Sequence, residues 1–446
     1  MKRREVIAAS AGLAVSGLFG TRSSAQSART PIVWWHAMTA ANAEQVNRVA
    51  ADFNASQDRA EITAVYKGTY PDLLNATIAA FRAGQAPHVA QIFEVGTGSM
   101  LAAGKAVKQN WQLAQEAGVT IDPAQFVPAV RGYYSLPDGR LASMPFNSST
   151  AVMWYNKDAF AAAGLDPEQP PATWPGLVSA CAQLKAKNAI EVPMMTSWPS
   201  WIQFEQYSAI HDLPFATEAD GFNGLGAELV FNSPAHARHL QRLMDMSRDG
   251  TFRYGGRGDA PENLFPAGTA AIMFESSGNR GLYSRTSKFR WGEAMLPFDP
   301  AVIAAPNNAI IGGASLWAMT APNRTAEEYR AVGALMAFIA EPDQVALWHQ
   351  KTGYIPTTEA GYELSRQQGW YEQNPGADIP IRQLTRGHVT DNSRGLRLGR
   401  LPEIRTILEE EIERALQGEQ TAQAALDRAV ERGNKVLRDF QRSVRA

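Results

Sequence analysis

Short apolar runs rich in β-branched residues alternate along this chain with longer segments whose apolar positions recur every three or four residues. That alternation predicts an α/β architecture. The runs predict strands at 31–37, 61–67, 88–95, 151–155, 192–196, 270–275 and 315–319. Helical periodicity predicts helices at 43–54, 71–82, 235–248, 325–339 and 421–444. In the last of these, Ala425, Ala429, Val436 and Leu437 form a narrow apolar face on a mostly charged segment, as suits a helix covering a sheet. There is no internal repeat, low-complexity tract or long linker, and Pro-rich spots such as Gln169-Pro170-Pro171 and Met295-Leu296-Pro297 read as local turns.

The stretch Met144 to Asp166 changes the picture from a generic α/β protein to one with a cleft. Asn147, Ser148, Ser149 and Thr150 place small donors directly before the apolar run Ala151 to Tyr155. Donors at a strand end suit a hinge-crossing segment of a two-lobed solute-binding protein. They equally suit a polar turn before a core strand, and these residues alone do not separate the two. At 446 residues the chain is long enough for two lobes. Without a linker, the lobes are expected to be discontinuous, with strands crossing near 144–152, 300–314 and 345–355.

Charge and cysteine content narrow the function class. Lys plus Arg number 42 against 44 Asp plus Glu, so no basic field of the kind that drives nucleic-acid binding is present. Lys2, Arg3 and Arg4, an apolar small-residue stretch from Val6 to Phe19, and Ser23-Ser24-Ala25 form an export signal over residues 1–25. The Arg3-Arg4 pair admits a twin-arginine route beside the general secretory one. Removing that segment takes away four basic residues and one acid, moving the formal charge from −2 to −5. Cys181 is the only cysteine, which excludes an intramolecular disulfide and a cysteine zinc site. No later run approaches the roughly 20 apolar residues of a membrane span. A periplasmic, soluble mature protein is expected.

Catalytic and cofactor motifs do not emerge. Gly98 to Lys105 imitates a phosphate loop, but has one residue too many between its glycines and Ala106 in place of the magnesium-binding Ser or Thr. His236 and His239 share a predicted helix without a third ligand nearby, and a solvated helix face accounts for them better than a metal site. Ser99, Ser276 and Ser277 lack the context of a nucleophile elbow. No enzyme activity, cofactor or metal is expected.

Several polar and aromatic residues fall at strand ends or turns, where an α/β sheet presents its ligand crevice. Glu94 ends one predicted strand and Tyr70 follows another; a capping or surface acid is the plainer account of Glu94 by itself. Trp198 and Trp201 flank Pro199 in a turn and suit a stacking wall. Ser276 lies where a strand opens into a helix, so its hydroxyl can face an anion. Gly312 and Gly313 either let a backbone amide approach a ligand or mark a strand bulge. Tyr354 lies in KTGYIPTT, and Arg397, between Gly395 and Gly399, reads as a phosphate fork or as a surface arginine with an acidic partner.

The runs YKGTY, FEVGTGSM, PFNSSTAVMWYNKDAFAAAGLDPEQPP, NAIIGGASLW, WHQKTGYIPTT, QNPGAD, GLRLG and AVERGN join these residues. Over essentially the whole mature length the chain resembles the periplasmic sn-glycerol-3-phosphate-binding proteins of ATP-binding-cassette importers. The resemblance implies a type II, maltose-binding-protein-like fold, with lobe 1 from 26–146 plus 303–348 and lobe 2 from 147–302 plus 349–446. It implies ligand positions at Tyr70, Glu94, Ser149, Ser276, Gly313, Tyr354 and Arg397, with Trp198 and Trp201 as the aromatic wall. It further implies sn-glycerol-3-phosphate and glycerophosphodiesters such as glycerophosphocholine as ligands, and a monomer that delivers them to two permease subunits and an ATPase. A maltose-type oligosaccharide binder is disfavoured by the arginine fork expected at Arg397. An exported phosphodiesterase is disfavoured by the missing metal cluster or nucleophile.

Overall fold

The computed structural model describes residues 29–445, so the export signal expected over 1–25 lies outside the described residues. Two sheets carry the fold. The first runs in the order β2 (Ala60–Tyr66), β1 (Thr30–His36), β3 (Val89–Phe93), β10 (Gly312–Met319), β4 (Val107–Lys108), with β5 (Met144–Ser149) also paired to β10. Strands β1, β2 and β3 are parallel, while β10 runs antiparallel to β3, β4 and β5. The second sheet has the order β7 (Val192–Thr196), β8 (Ala270–Ser276), β6 (Ala151–Asn156), β9 (Trp291–Ala294), and in it β6 is antiparallel to both neighbours. Strands β3, β6 and β7 are buried along their whole length and are apolar apart from Gln91, Asn156 and Thr196, as suits strands covered on both faces. The expected two-lobed α/β fold is the one observed.

The seven predicted strands are all present within a few residues of the expected bounds. Strand β5 escaped the pattern because its end is Asn147, Ser148 and Ser149, which lack β propensity. All three are nevertheless buried, and the Asn147 amide is satisfied: its Oδ1 accepts from Gln91 Nε2 at 2.7 Å, and its Nδ2 donates to Tyr70 Oη at 2.7 Å. The pairing Asn147↔Ala314, Ser148↔Gly313, Ser149↔Gly312 puts these residues in the first sheet, beyond the lobe change expected after 146. The chain changes sheet at Thr150, whose hydroxyl donates to Ile310 O at 2.8 Å. Residues 307–310 belong with the second lobe, through Asn307 N to Ile210 O (2.8 Å) and Ile310 N to Gln206 Oε1 (3.0 Å). The return crossing therefore falls between Ile310 and Gly312, later than the boundary expected at 303. A third connection passes alongside, where Ile355 N donates to Ser148 O at 2.8 Å.

His236 and His239 are not on a solvated face; both are fully buried. His236 is bonded to Ser208 (2.8 Å) and Ser233 (2.7 Å), and His239 to Gln203 and Arg242 (both 3.2 Å). The long helices Leu401–Leu416 and Ala422–Arg445 pack on the Pro234–Arg248 helix of the second lobe. Among the described residues no helix is long and apolar enough to cross a membrane.

Gly313 pins the crossing. Its φ of +86° is left-handed, and a Cβ there would lie 1.9 Å from Asn147 O. Gly313→Ala is therefore expected to destabilise the fold by more than about 1 kcal/mol, read as a lowered denaturation midpoint.

Candidate ligand-binding site

Between the sheets lies a cavity of about 420 Å³. It is lined from the first lobe by the ends of β2, β3 and β5 and the start of the antiparallel β10, and from the second by the residues after β7 and the end of β8. This is where open α/β sheets present ligand sites. Tyr70, Glu94, Ser149, Trp198, Trp201, Ser276, Gly313 and Tyr354 all line it. Arg397 does not.

Each of the eight is set by its element. Tyr70 opens the Tyr70–Arg82 helix behind a capping box of Thr69 and Asp72, and its ring stacks on Phe93 at 5.3 Å. Tyr354 follows Gly353, which ends a helix in the left-handed conformation with φ +90°, and its ring stacks on Trp348 at 6.0 Å. Ser276 Oγ accepts from Gly278 N at 3.1 Å, which leaves its proton free to donate elsewhere. Trp198 is half-buried, with φ +44°, and is held by its amide donating to Gly258 O at 2.7 Å. Trp201, expected in a turn, instead begins a π-helical turn, Trp201–Glu205. It is buried against Gly312, where a Cβ would lie 2.4 Å from the indole, and its Nε1 has no hydrogen-bond partner.

The guanidinium that lines the cavity is Arg405, on the Leu401–Leu416 helix. Its Nε and Nη2 fork onto Glu205 at 2.7 Å each, and Nη2 also donates to Glu94 Oε1 at 2.9 Å. Nη1 is left with no protein partner among the described residues. Burial by itself opposes the charge on Arg405, yet Glu205 and Glu94 hold its pKa above the ordinary guanidinium range. Burial raises the pKa of Glu94, while Arg405 pulls it down. An arginine beside the buried Ile404 and Leu408 of an amphipathic helix was the available sequence signal, and the glycine-flanked Arg397 drew attention from it.

Arg397 is buried behind the cleft and caps a helix end. Its Nη2 donates to Ser135 O at 2.6 Å and to Tyr133 O, at the C-terminus of the Pro128–Tyr134 helix, and its guanidinium lies 4.2 Å from the Phe222 ring centre. The flanking glycines serve packing, since a Cβ on Gly395 would meet the Tyr133 ring at 2.7 Å and one on Gly399 the Phe440 ring at 1.9 Å. Burial lowers the pKa of Arg397 to about 10.

Carboxylates line the cavity that sequence reasoning did not single out. They are Asp259, Glu262, Glu275 and Glu409. Burial is the main cause that pushes Glu275 up to about 8 and Glu262 up to about 7, with like charges nearby adding to it. Among the described residues no group of three or more His, Cys, Asp or Glu is arranged to hold a metal ion.

Known proteins resemble the chain over most of its length. A profile of bacterial extracellular solute-binding proteins matches residues 48–378. The chain is 45% identical over 428 residues, covering 96% of each chain, to the sn-glycerol-3-phosphate-binding periplasmic protein UgpB of Pectobacterium atrosepticum. It is 46% identical over 418 residues, covering 94% of each, to that of Escherichia coli K12. Among solved structures, UgpB from Mycobacterium tuberculosis in complex with glycerophosphocholine is similar at a TM-score of 0.76 and 20% identity, covering 92% of this chain and 99% of that one. Maltose-bound T. maritima MalE3 is similar at a TM-score of 0.73 and 16% identity, covering 90% and 98%.

Two outcomes follow for these groups. Arg397→Ala removes a charge-assisted helix cap and is expected to cost about 1–3 kcal/mol of folding stability, measured by chemical denaturation. Glu275 binds its proton more tightly folded than unfolded, so stability falls as pH rises from the ordinary 4.5 through about 8. Glu275→Gln is expected to match the parent near pH 5 and to melt at a higher temperature than the parent at pH 8.5.

Proposed function

The chain belongs to the bacterial extracellular solute-binding proteins, and from that premise we propose that it captures sn-glycerol-3-phosphate, together with glycerophosphodiesters, for an ATP-binding-cassette importer. The observation that carries this reading is Arg405. It presents a free Nη1 edge in an interlobe cavity that is also lined by the hydroxyl residues Ser149, Ser276 and Tyr354 and by the indole of Trp201, whose Nε1 is unpartnered. A guanidinium edge left free by its two carboxylate partners, with neutral donors lining the same cavity, suits a phosphate, because each oxygen accepts several hydrogen bonds and every charge-assisted bond contributes about 1.5–3 kcal/mol.

In this reading the phosphate lies on the Arg405 edge and takes bonds from Ser149, Ser276 and Trp201, with the backbone of Gly313 close by. The glycerol hydroxyls face Glu94 and Tyr70 of the first lobe. The Glu94 carboxylate is compatible with a dianion nearby because Arg405 is already bonded to it. Ligand contacts drawn from both lobes favour the closed arrangement, which is the state that two permease subunits and their ATPase would receive. The protein acts as a monomer in the periplasm, reached through an N-terminal signal by the general secretory or twin-arginine route.

Calorimetric titration with glycerol-3-phosphate, glycerophosphocholine and maltose tests the reading, with binding expected for the first two alone. Arg405→Ala is expected to weaken glycerol-3-phosphate by about 2–5 kcal/mol, whereas Arg397→Ala, where it folds, leaves that affinity within tenfold. Near-parental affinity in the Arg405 variant would move the phosphate elsewhere.

A further inference from the structure

Behind the first-lobe wall of the cavity runs a chain of side-chain amides whose hydrogen-bond direction is fixed at one end. The backbone amide of Ala37, just past β1, donates to Gln91 Oε1 at 2.8 Å. A backbone N–H only donates, so Gln91 must turn its oxygen to Ala37 and its nitrogen the other way. That nitrogen donates to Asn147 Oδ1 at 2.7 Å, and Asn147 Nδ2 in turn donates to Tyr70 Oη at 2.7 Å. Gln91 on β3 and Asn147 on β5 are fully buried, and neither lines the cavity. The direction nevertheless reaches it. Because the Tyr70 oxygen accepts from Asn147, the phenol proton points away from that amide. The Tyr354 hydroxyl stands beside the same amide and beside Tyr70, and the acceptor it meets is the Met38 sulfur at 3.8 Å, a weak one. If one phenol donates to the other, the second still holds a proton, and the open side is the cavity that both line. Glu94 has the opposite polarity. It follows Phe93, on whose ring Tyr70 stacks, and its carboxylate accepts, here from Arg405 Nη2 at 2.9 Å.

We propose that Gln91 and Asn147 are positioning residues that hold the phenol pair of Tyr70 and Tyr354 as a hydrogen-bond donor, so that the cavity selects a ligand hydroxyl able to accept from a phenol and donate to Glu94 at once. This rests on the reading that the glycerol end of the ligand faces Glu94 and Tyr70. A hydroxyl has one proton and free lone pairs, so it completes an unbroken series of donations from Ala37 N through two amides and a phenol to the carboxylate. A bare methylene or methyl in its place leaves the phenol and the carboxylate without the bond that each lacks, which is how a site built for a hydroxyl rejects the deoxy analogue. The two amides act only through the phenols, since neither lines the cavity.

Calorimetry on the mature chain at pH 8 compares glycerol-3-phosphate with propane-1,2-diol phosphate and propane-1,3-diol phosphate, which lack one glycerol hydroxyl or the other. The parent is expected to bind at least one of the two about tenfold or more weakly than glycerol-3-phosphate. Asn147→Asp is nearly isosteric and sets an acceptor against the phenol, which then turns its proton inward, and the ratio is expected to fall below about threefold. Gln91→Glu makes the same reversal one step farther back, because Asn147 must then turn its nitrogen to the new carboxylate and its oxygen to Tyr70. It serves where Asn147→Asp does not fold. A loosened fold, or repulsion between a new carboxylate and the phosphate, weakens all three ligands alike and leaves the ratio unchanged. Both deoxy analogues binding the parent within about threefold of glycerol-3-phosphate, or a parental ratio kept in a folded variant, overturns the relay while leaving the phosphate reading intact. Failure of the parent to bind glycerol-3-phosphate overturns the phosphate reading and this inference with it.

Discussion

A single buried guanidinium, Arg405, joins the two lobes. Glu94 follows β3 of the first sheet, and Glu205 closes the π-helical turn after the second lobe's Trp201. Arg405 bonds both at 2.7–2.9 Å while less than a tenth of its side chain is exposed. Burying an unpaired guanidinium costs several kcal/mol, and two carboxylates offset that cost while fixing the plane of the fork. Because one of the carboxylates belongs to each lobe, the cation is fully bonded only when the lobes are together.

The surrounding structure serves that geometry. The close pairing of Gly313 with Ser148 and the passage of Thr150 beside Ile310 bring the crossing segments side by side, so the lobes meet along a narrow seam. The π-helical turn adds a residue to its helical turn and so changes the direction in which Trp201 and Glu205 project. Trp201 fills the space that a side chain at Gly312 would need. Arg397, in the segment leading into the Arg405 helix, meets its own burial differently. It is held by the carbonyls of a helix end and the face of Phe222, without a carboxylate. Arg397 lies away from the cavity, whereas Arg405 lines it with Nη1 unpartnered among the described residues.

The lobes also differ in how they manage carboxylates. In the first lobe, Glu94 is held by an arginine. In the second, the buried Glu275 and the half-buried Glu262 have no cation partner, and they retain protons to higher pH than ordinary carboxylates.

The sequence by itself determined the α/β layering, because strands buried on both faces and helices buried on one leave distinct apolar periods. It also led to eight of the cavity residues, because most of these lie at strand or helix ends, where local pattern marks a boundary, and because the runs that hold them resemble a known family. It did not reveal β5, whose polar end is stabilised by Gln91, Tyr70 and β10, all remote in sequence. Nor did it separate Arg397 from Arg405. Local context favoured the arginine between two glycines, but those glycines answer to Tyr133 and Phe440 across the fold. Which guanidinium faces the cavity depends on the direction of the Leu401–Leu416 helix and on carboxylates contributed from two lobes, and that is decided by packing between distant segments, which no local pattern records.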